Sequence, residues 1–103
     1  MAAAALVLLA ACSTASSAPP QPPHPGTAAY NPTVCRHYLA QRRWVLSITQ
    51  PTLADAVQME TDVAVDAEQA YGKLKRDLDA MSAAMSAGQS PHAASVRVYD
   101  DCT

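Results

Sequence analysis

Residues 53–85 read LADAVQMETDVAVDAEQAYGKLKRDLDAMSAAM, and the spacing inside this stretch decides the fold. Steps of four and three residues, taken alternately from Leu53, land on Val57, Glu60, Ala64, Ala67, Tyr71, Leu74, Leu78, Met81 and Met85. Every position on that path except Glu60 is apolar, which describes one long helical seam turned toward partner helices. No stretch alternates apolar and polar residues as a half-buried strand does, so the chain is expected to be all-α. Gly72 lies off the seam. A glycine costs about 1 kcal/mol relative to alanine inside a helix, so this is where the long helix would kink or break.

The flanking segments carry their own punctuation. Thr52 followed by Asp55 fits a capping box, with Asp in the place of Glu, and opens the long helix. Upstream, Asn31-Pro32-Thr33 predicts the start of a first helix that runs to about Ile48 and ends before Thr49-Gln50-Pro51. Val34, Tyr38, Leu39, Val45 and Leu46 recur along it at helical spacing. Downstream, Gly88 suits a C-terminal cap, and Ser90-Pro91 supplies an N-cap and first-turn proline for a short last helix carrying Val96 and Tyr99.

The first helix should fold back on the first half of the long one, setting Arg42 and Arg43 level with Gln58–Glu60 and Arg36 level with about Val65. The segment from Asp55 to Glu68 carries five acids and no base, so three arginines face an acidic stretch. Each exposed ion pair is worth little, but the sign favours this pairing. Glu60, the acid on the seam, is expected to pair with Arg42 or Arg43. The last helix should fold back on the second half of the long one, so that the start of the first helix and the end of the last meet near Tyr71. A few extended residues around Asp100 and Asp101 would close the remaining gap.

The part before the helices is of another kind. All sixteen charged residues lie from Arg36 onward. Met1 to Ala11 reads MAAAALVLLAA, an apolar run too short for a bilayer, which needs roughly 20 residues. It has the length and small-residue end of a secretory signal. Leu9-Ala10-Ala11-Cys12 resembles the lipobox of bacterial lipoproteins. That resemblance implies removal of residues 1–11 as a signal peptide, a diacylglyceryl group on the Cys12 sulfur, and a protein exported and anchored to the outer side of the cell membrane. Residues 13–33 hold six prolines and six Ser or Thr. Such a composition has little to bury and favours extended polyproline II, so residues 12–33 are expected to be a disordered tether with a reach of roughly 65 Å at most.

Three cysteines look odd for an exported chain until Cys12 is set aside for lipid. Cys35 and Cys102 then remain as a pair in an oxidising compartment. They fall at the two helix ends that should meet near Tyr71. The expected fold is therefore a small helical hairpin or three-helix domain over residues 34–103, built on one long central helix and stapled by a Cys35–Cys102 disulfide. Its Ala- and Pro-rich style resembles small lipoproteins of actinobacteria or their phages.

Little chemistry is visible. There is no Gly-rich phosphate loop, nucleophile elbow, Ser-x-x-Lys or paired-cysteine metal knuckle, and His24, His37 and His92 are scattered. No catalytic, cofactor-binding or metal-binding residue is expected. His37 stands two positions from Cys35 and so on a different helix face, against a catalytic cysteine. A net charge of -2 gives no drive toward nucleic acid. The expected function is a non-catalytic binding or scaffolding module of the cell envelope, meeting an envelope protein or wall component through Trp44, Arg42 and Arg43. Trp44 lies beside the apolar stripe, either covering the core edge or anchoring a partner. A phage-derived lipoprotein for superinfection exclusion and a small-ligand carrier are the alternatives; the carrier requires a pocket. The long seam leaves dimerisation open.

Overall fold

The computed structural model describes residues 21–103; the expected signal peptide and Cys12 lie outside the described residues. A turn of 3-10 helix over Ala28–Tyr30 leads into four α-helices: α1 (Asn31–Ser47), α2 (Leu53–Gln69), α3 (Gly72–Ser86) and α4 (His92–Cys102). Successive helices run antiparallel around one core, and no strand occurs among the described residues.

The expected long helix is two helices. At Ala70 and Tyr71 the backbone is extended, and Gly72 adopts φ +67, a left-handed conformation that L side chains rarely take. The polar groups released by the break find partners. The Asn31 side chain donates to the Tyr71 carbonyl at 3.1 Å and accepts from the Tyr71 N–H at 2.9 Å. The Gly26 N–H donates to the Gln69 carbonyl at 2.8 Å, and Lys75 Nζ donates to that of Ala67 at 2.9 Å. Residues 26–33, the last part of the expected tether, thus belong to the fold, which begins at Gly26 rather than Val34.

Folding α2 against α3 changes the neighbours. With a straight central helix, α1 and α4 would meet only end to end. In the bundle they run side by side, and Cys35 and Cys102 are joined with their Cα atoms 5.3 Å apart. The disulfide sits at the Tyr71 end, where it was expected. Helix α4 reaches Cys102 unbroken, so the extended residues foreseen at Asp100 and Asp101 are not needed.

The break also shifts the buried face. On α3 the seam positions Leu74 and Leu78 are buried, as expected. On α2 the buried residues are Val63, Asp66 and Ala67, with Ala70 just past its end, while the seam positions Leu53 and Val57 stand 83% and 57% exposed. Two helices joined by an extended link need not share one phase, and the apolar face of α2 lies mostly one residue earlier than a continuous heptad puts it. Val34 and Tyr38 of α1 and Val98 of α4 complete the core.

The local signals hold where they are short-range. The Asp55 N–H donates to Thr52 Oγ1 and the Thr52 N–H to Asp55 Oδ2, closing the capping box. Gly88, at φ +69, ends α3, with the Gln89 N–H reaching back to the Ala84 carbonyl. Helix α4 begins one residue later than foreseen, and Ser90 Oγ accepts from the His92 N–H.

Gly72→Ala tests the joint. A Cβ at Gly72 would meet nothing within 4 Å, so the penalty is conformational alone. A left-handed L residue costs about 1–2 kcal/mol, and urea unfolding of the variant should show a loss of that size. A more stable variant would mean that α2 and α3 prefer to be continuous.

Candidate functional site

The seam between α1 and α4 is the least closely packed of the four around the bundle. The disulfide and the Asn31 clamp draw the bundle together at one end. Toward the other end the helices leave an open cleft of about 410 Å3. Tyr38 and Val63, both buried, form its floor, and Met59, Met81 and Met85 line its wall. Leu46, Val96 and Tyr99 stand at its edge, 68%, 46% and 37% exposed. The Tyr38 hydroxyl lies 2.9 Å from Ser95 Oγ, a polar contact between α1 and α4 within the cleft lining.

Arg42 is the one formally charged residue in the lining, with His92 at the start of α4 as its only titratable companion of basic kind. The Arg42 guanidinium rests 4.4 Å from the centre of the Tyr99 ring. No carboxylate lies within ion-pair reach of it among the described residues, and no Asp or Glu lines the cleft. The expected pair between Glu60 and Arg42 or Arg43 is therefore replaced. Glu60 accepts from the Ser86 hydroxyl at 2.9 Å, and it borders a separate shallow hollow with Val57 and Thr61. Stacking on Tyr99 satisfies a weakly hydrated guanidinium, and exposed ion pairs contribute too little to pull it away.

The three residues expected to meet a partner do not converge. Arg42 faces the cleft, and Arg43 is exposed on neither of the hollows that flank α1. Trp44, 37% exposed, borders a shallow depression with His37, Gln58 and Asp62 on the α1–α2 side. Gln41 stands between the two surfaces and ties α1 to α2, its side-chain amide donating to the Met59 carbonyl and to Asp62 Oδ2.

Two polar clusters, each with its carboxylates turned inward and its basic side chain at the surface, brace the bundle. His37 Nδ1 meets Asp66 Oδ1 at 2.6 Å, joining α1 to α2, while Asp66 Oδ2 has no partner among the described residues. Burial pushes the Asp66 carboxyl above its ordinary 3.8, against the opposing pull of His37. On the other side Lys73 Nζ reaches Asp77 Oδ2 at 2.8 Å and Asp101 Oδ1 at 2.7 Å, joining α3 to α4 beside the disulfide. A hydrogen bond from Asp101 holds Asp77 below 3.8, and burial pushes Asp101 above it. These groups serve helix pairing and lie outside the cleft lining.

The Asp66 shift has a sign that can be checked. A carboxyl whose pKa is raised by folding holds its proton more tightly in the native chain than in the unfolded one. Its contribution is fully present below pH 3.8 and is lost as pH rises through the native midpoint. Relative to Asp66→Asn, wild-type stability in urea should fall over that interval, with the Asp66 carboxyl carbon titrating above 3.8 by NMR. A midpoint below 3.8 would make His37, not burial, the dominant influence.

Sequence reasoning assigned Met81 and Met85 to the helix seam and Val96 and Tyr99 to the approach to Cys102. It did not foresee that they would share a cleft with Arg42. The available signal was three methionines on helices that had to face α1 and α4, since methionine is common on adaptable apolar surfaces. Comparison with known proteins adds no relative: no family model matches the chain, and no curated protein or solved structure matches it. No helix among the described residues is long and apolar enough to cross a membrane.

Proposed function

We propose that this chain is a non-catalytic binding module of the cell envelope, held outside the membrane by lipid on Cys12 and offering the α1–α4 cleft to its ligand. The observation that carries the proposal is the cleft itself. A bundle this small has few apolar side chains to spare, yet it leaves methionines and a tyrosine lining about 410 Å3 of open space. That volume falls in the range of roughly 300–1,000 Å3 typical of ligand sites. The disulfide supports the address, because such bonds persist in exported proteins. The cleft favours a small-ligand carrier over a scaffold whose binding surface is the α1–α2 flank around Trp44.

Two experiments divide the proposal. The intact mass of protein from a membrane fraction should match a chain beginning at lipidated Cys12 that gains a pair of hydrogens on reduction. An unprocessed chain with free thiols would overturn the address. A photo-crosslinking side chain at Leu46 should form an adduct with the ligand, whereas one at Val57, on the far side, should not. Partner adducts at Trp44 and none at Leu46 would return the binding surface to the α1–α2 flank.

A further inference from the structure

We propose that the cleft binds a single-chain carboxylate amphiphile, a free fatty acid being the simplest, with its alkyl chain along the methionine wall and its head on Arg42. This rests on the cleft being the binding surface and goes on to name what enters it. The lining is the first ground. Met59, Met81, Met85, Val45 and Val63 present no charge, and an unbranched alkyl chain suits flexible thioether side chains that repack around it. About 410 Å3 lies at the small end of the ligand-site range, with room for one alkyl chain but not for the paired chains of a bilayer lipid.

Charge is the second ground. The chain carries nine acidic residues against seven basic ones, yet none of the nine lines this cleft. The cation that does, Arg42, has no carboxylate partner among the described residues. A cationic head would find there no counter-charge and one repelling guanidinium. A carboxylate would find a planar fork matched to it by two parallel hydrogen bonds, in a setting partly screened from water by Tyr99. His92 stands on the same lining at the opening of α4 and adds no negative charge at any pH.

The test uses residues 13–103, which contain every contact of the described residues, titrated by calorimetry below the micelle concentration. Dodecanoate and dodecyltrimethylammonium share a chain and differ in head charge. Dodecanoate should bind one to one and at least tenfold more tightly than the ammonium compound. Arg42→Gln should weaken dodecanoate binding about tenfold or more, as expected for loss of hydrogen bonds to a charged group, and abolish the preference between the heads. Arg42→Lys should keep part of it. Leu46→Asp is a second variant, safe for folding because Leu46 is 68% exposed, and should weaken dodecanoate while sparing the ammonium compound.

Equal binding of both heads would overturn the carboxylate assignment and leave the cleft as an apolar site. Binding of neither would overturn the cleft as a ligand site altogether. A concentration-dependent dimer in ultracentrifugation that Leu46→Asp returns to monomer would show a second copy of the chain to be the occupant, which also overturns the proposal.

Discussion

Reduction of the Cys35–Cys102 bond is expected to lower the melting temperature by about 20 °C and to remove most of the stability of the bundle. The bond joins residues 67 apart in sequence, nearly the whole folded chain. Opening a loop of that length releases unfolded-chain entropy worth roughly 4 kcal/mol. Domains in general hold only about 5–15 kcal/mol, and in a chain this short each 1 kcal/mol moves the midpoint by about 4–8 °C. The native side has little in reserve. Half of the residues are hydrophobic but none is Phe, and three of the nine buried hydrophobic residues are alanines. Helices α1 and α4 also share the most open seam of the bundle, so the bond is the main tie between them. Thermal unfolding by circular dichroism, with and without reductant and again in the Cys35→Ser, Cys102→Ser double variant, measures the effect. An unchanged midpoint would show that the core alone holds the bundle.

The second large effect is expected at Leu78. Its side chain is fully enclosed, packed in the cluster with Val34, Tyr38, Val63 and Val98. Leu78→Ala removes apolar contacts and leaves a closed cavity, and such changes cost about 2–5 kcal/mol. Met85→Ala offers the internal comparison. Met85 lies on α3 with Leu78 but is only partly buried and lines the open cleft, so its truncation should cost well under half as much. Urea unfolding of both variants with the disulfide intact provides the comparison. Equal losses would mean that the cleft closes in solution and that Met85 belongs to a sealed core.

Much of the fold was legible because its signals are local. A capping box needs only Thr52 and Asp55, and Gly88 needs only its own φ. The staple could be placed because two helix ends and two cysteines independently indicated Tyr71. The break at Ala70 and Tyr71 was harder to see. Tyr71 continues the apolar spacing, and one glycine off the seam costs too little to end a helix by itself. What ends it is long-range: the Asn31 side chain, forty positions away, satisfies the backbone groups of Tyr71. The register shift on α2 follows from that break, so it was hidden for the same reason. The cleft was illegible because hydrophobic periodicity tells which face of a helix is apolar, not how much of it a neighbour covers. Arg42 illustrates the limit on charge: sign complementarity suggested Glu60, but the energy at stake on a surface is small enough for the Tyr99 ring to decide.

The closed end of the bundle has a mechanical meaning. The chain enters the fold at Gly26 and leaves it at Thr103, and both points lie beside the disulfide. A pull on the entering chain first loads two shallow attachments, the Gly26–Gln69 bond and the Asn31 clamp. Beyond Cys35 the tension crosses covalently into α4 and does not travel around the loop through α2 and α3. If residues before Gly26 tether the protein as proposed, drag on it would strip at most the first turn of α1 and leave the rest of the bundle, with the cleft at its far end, intact.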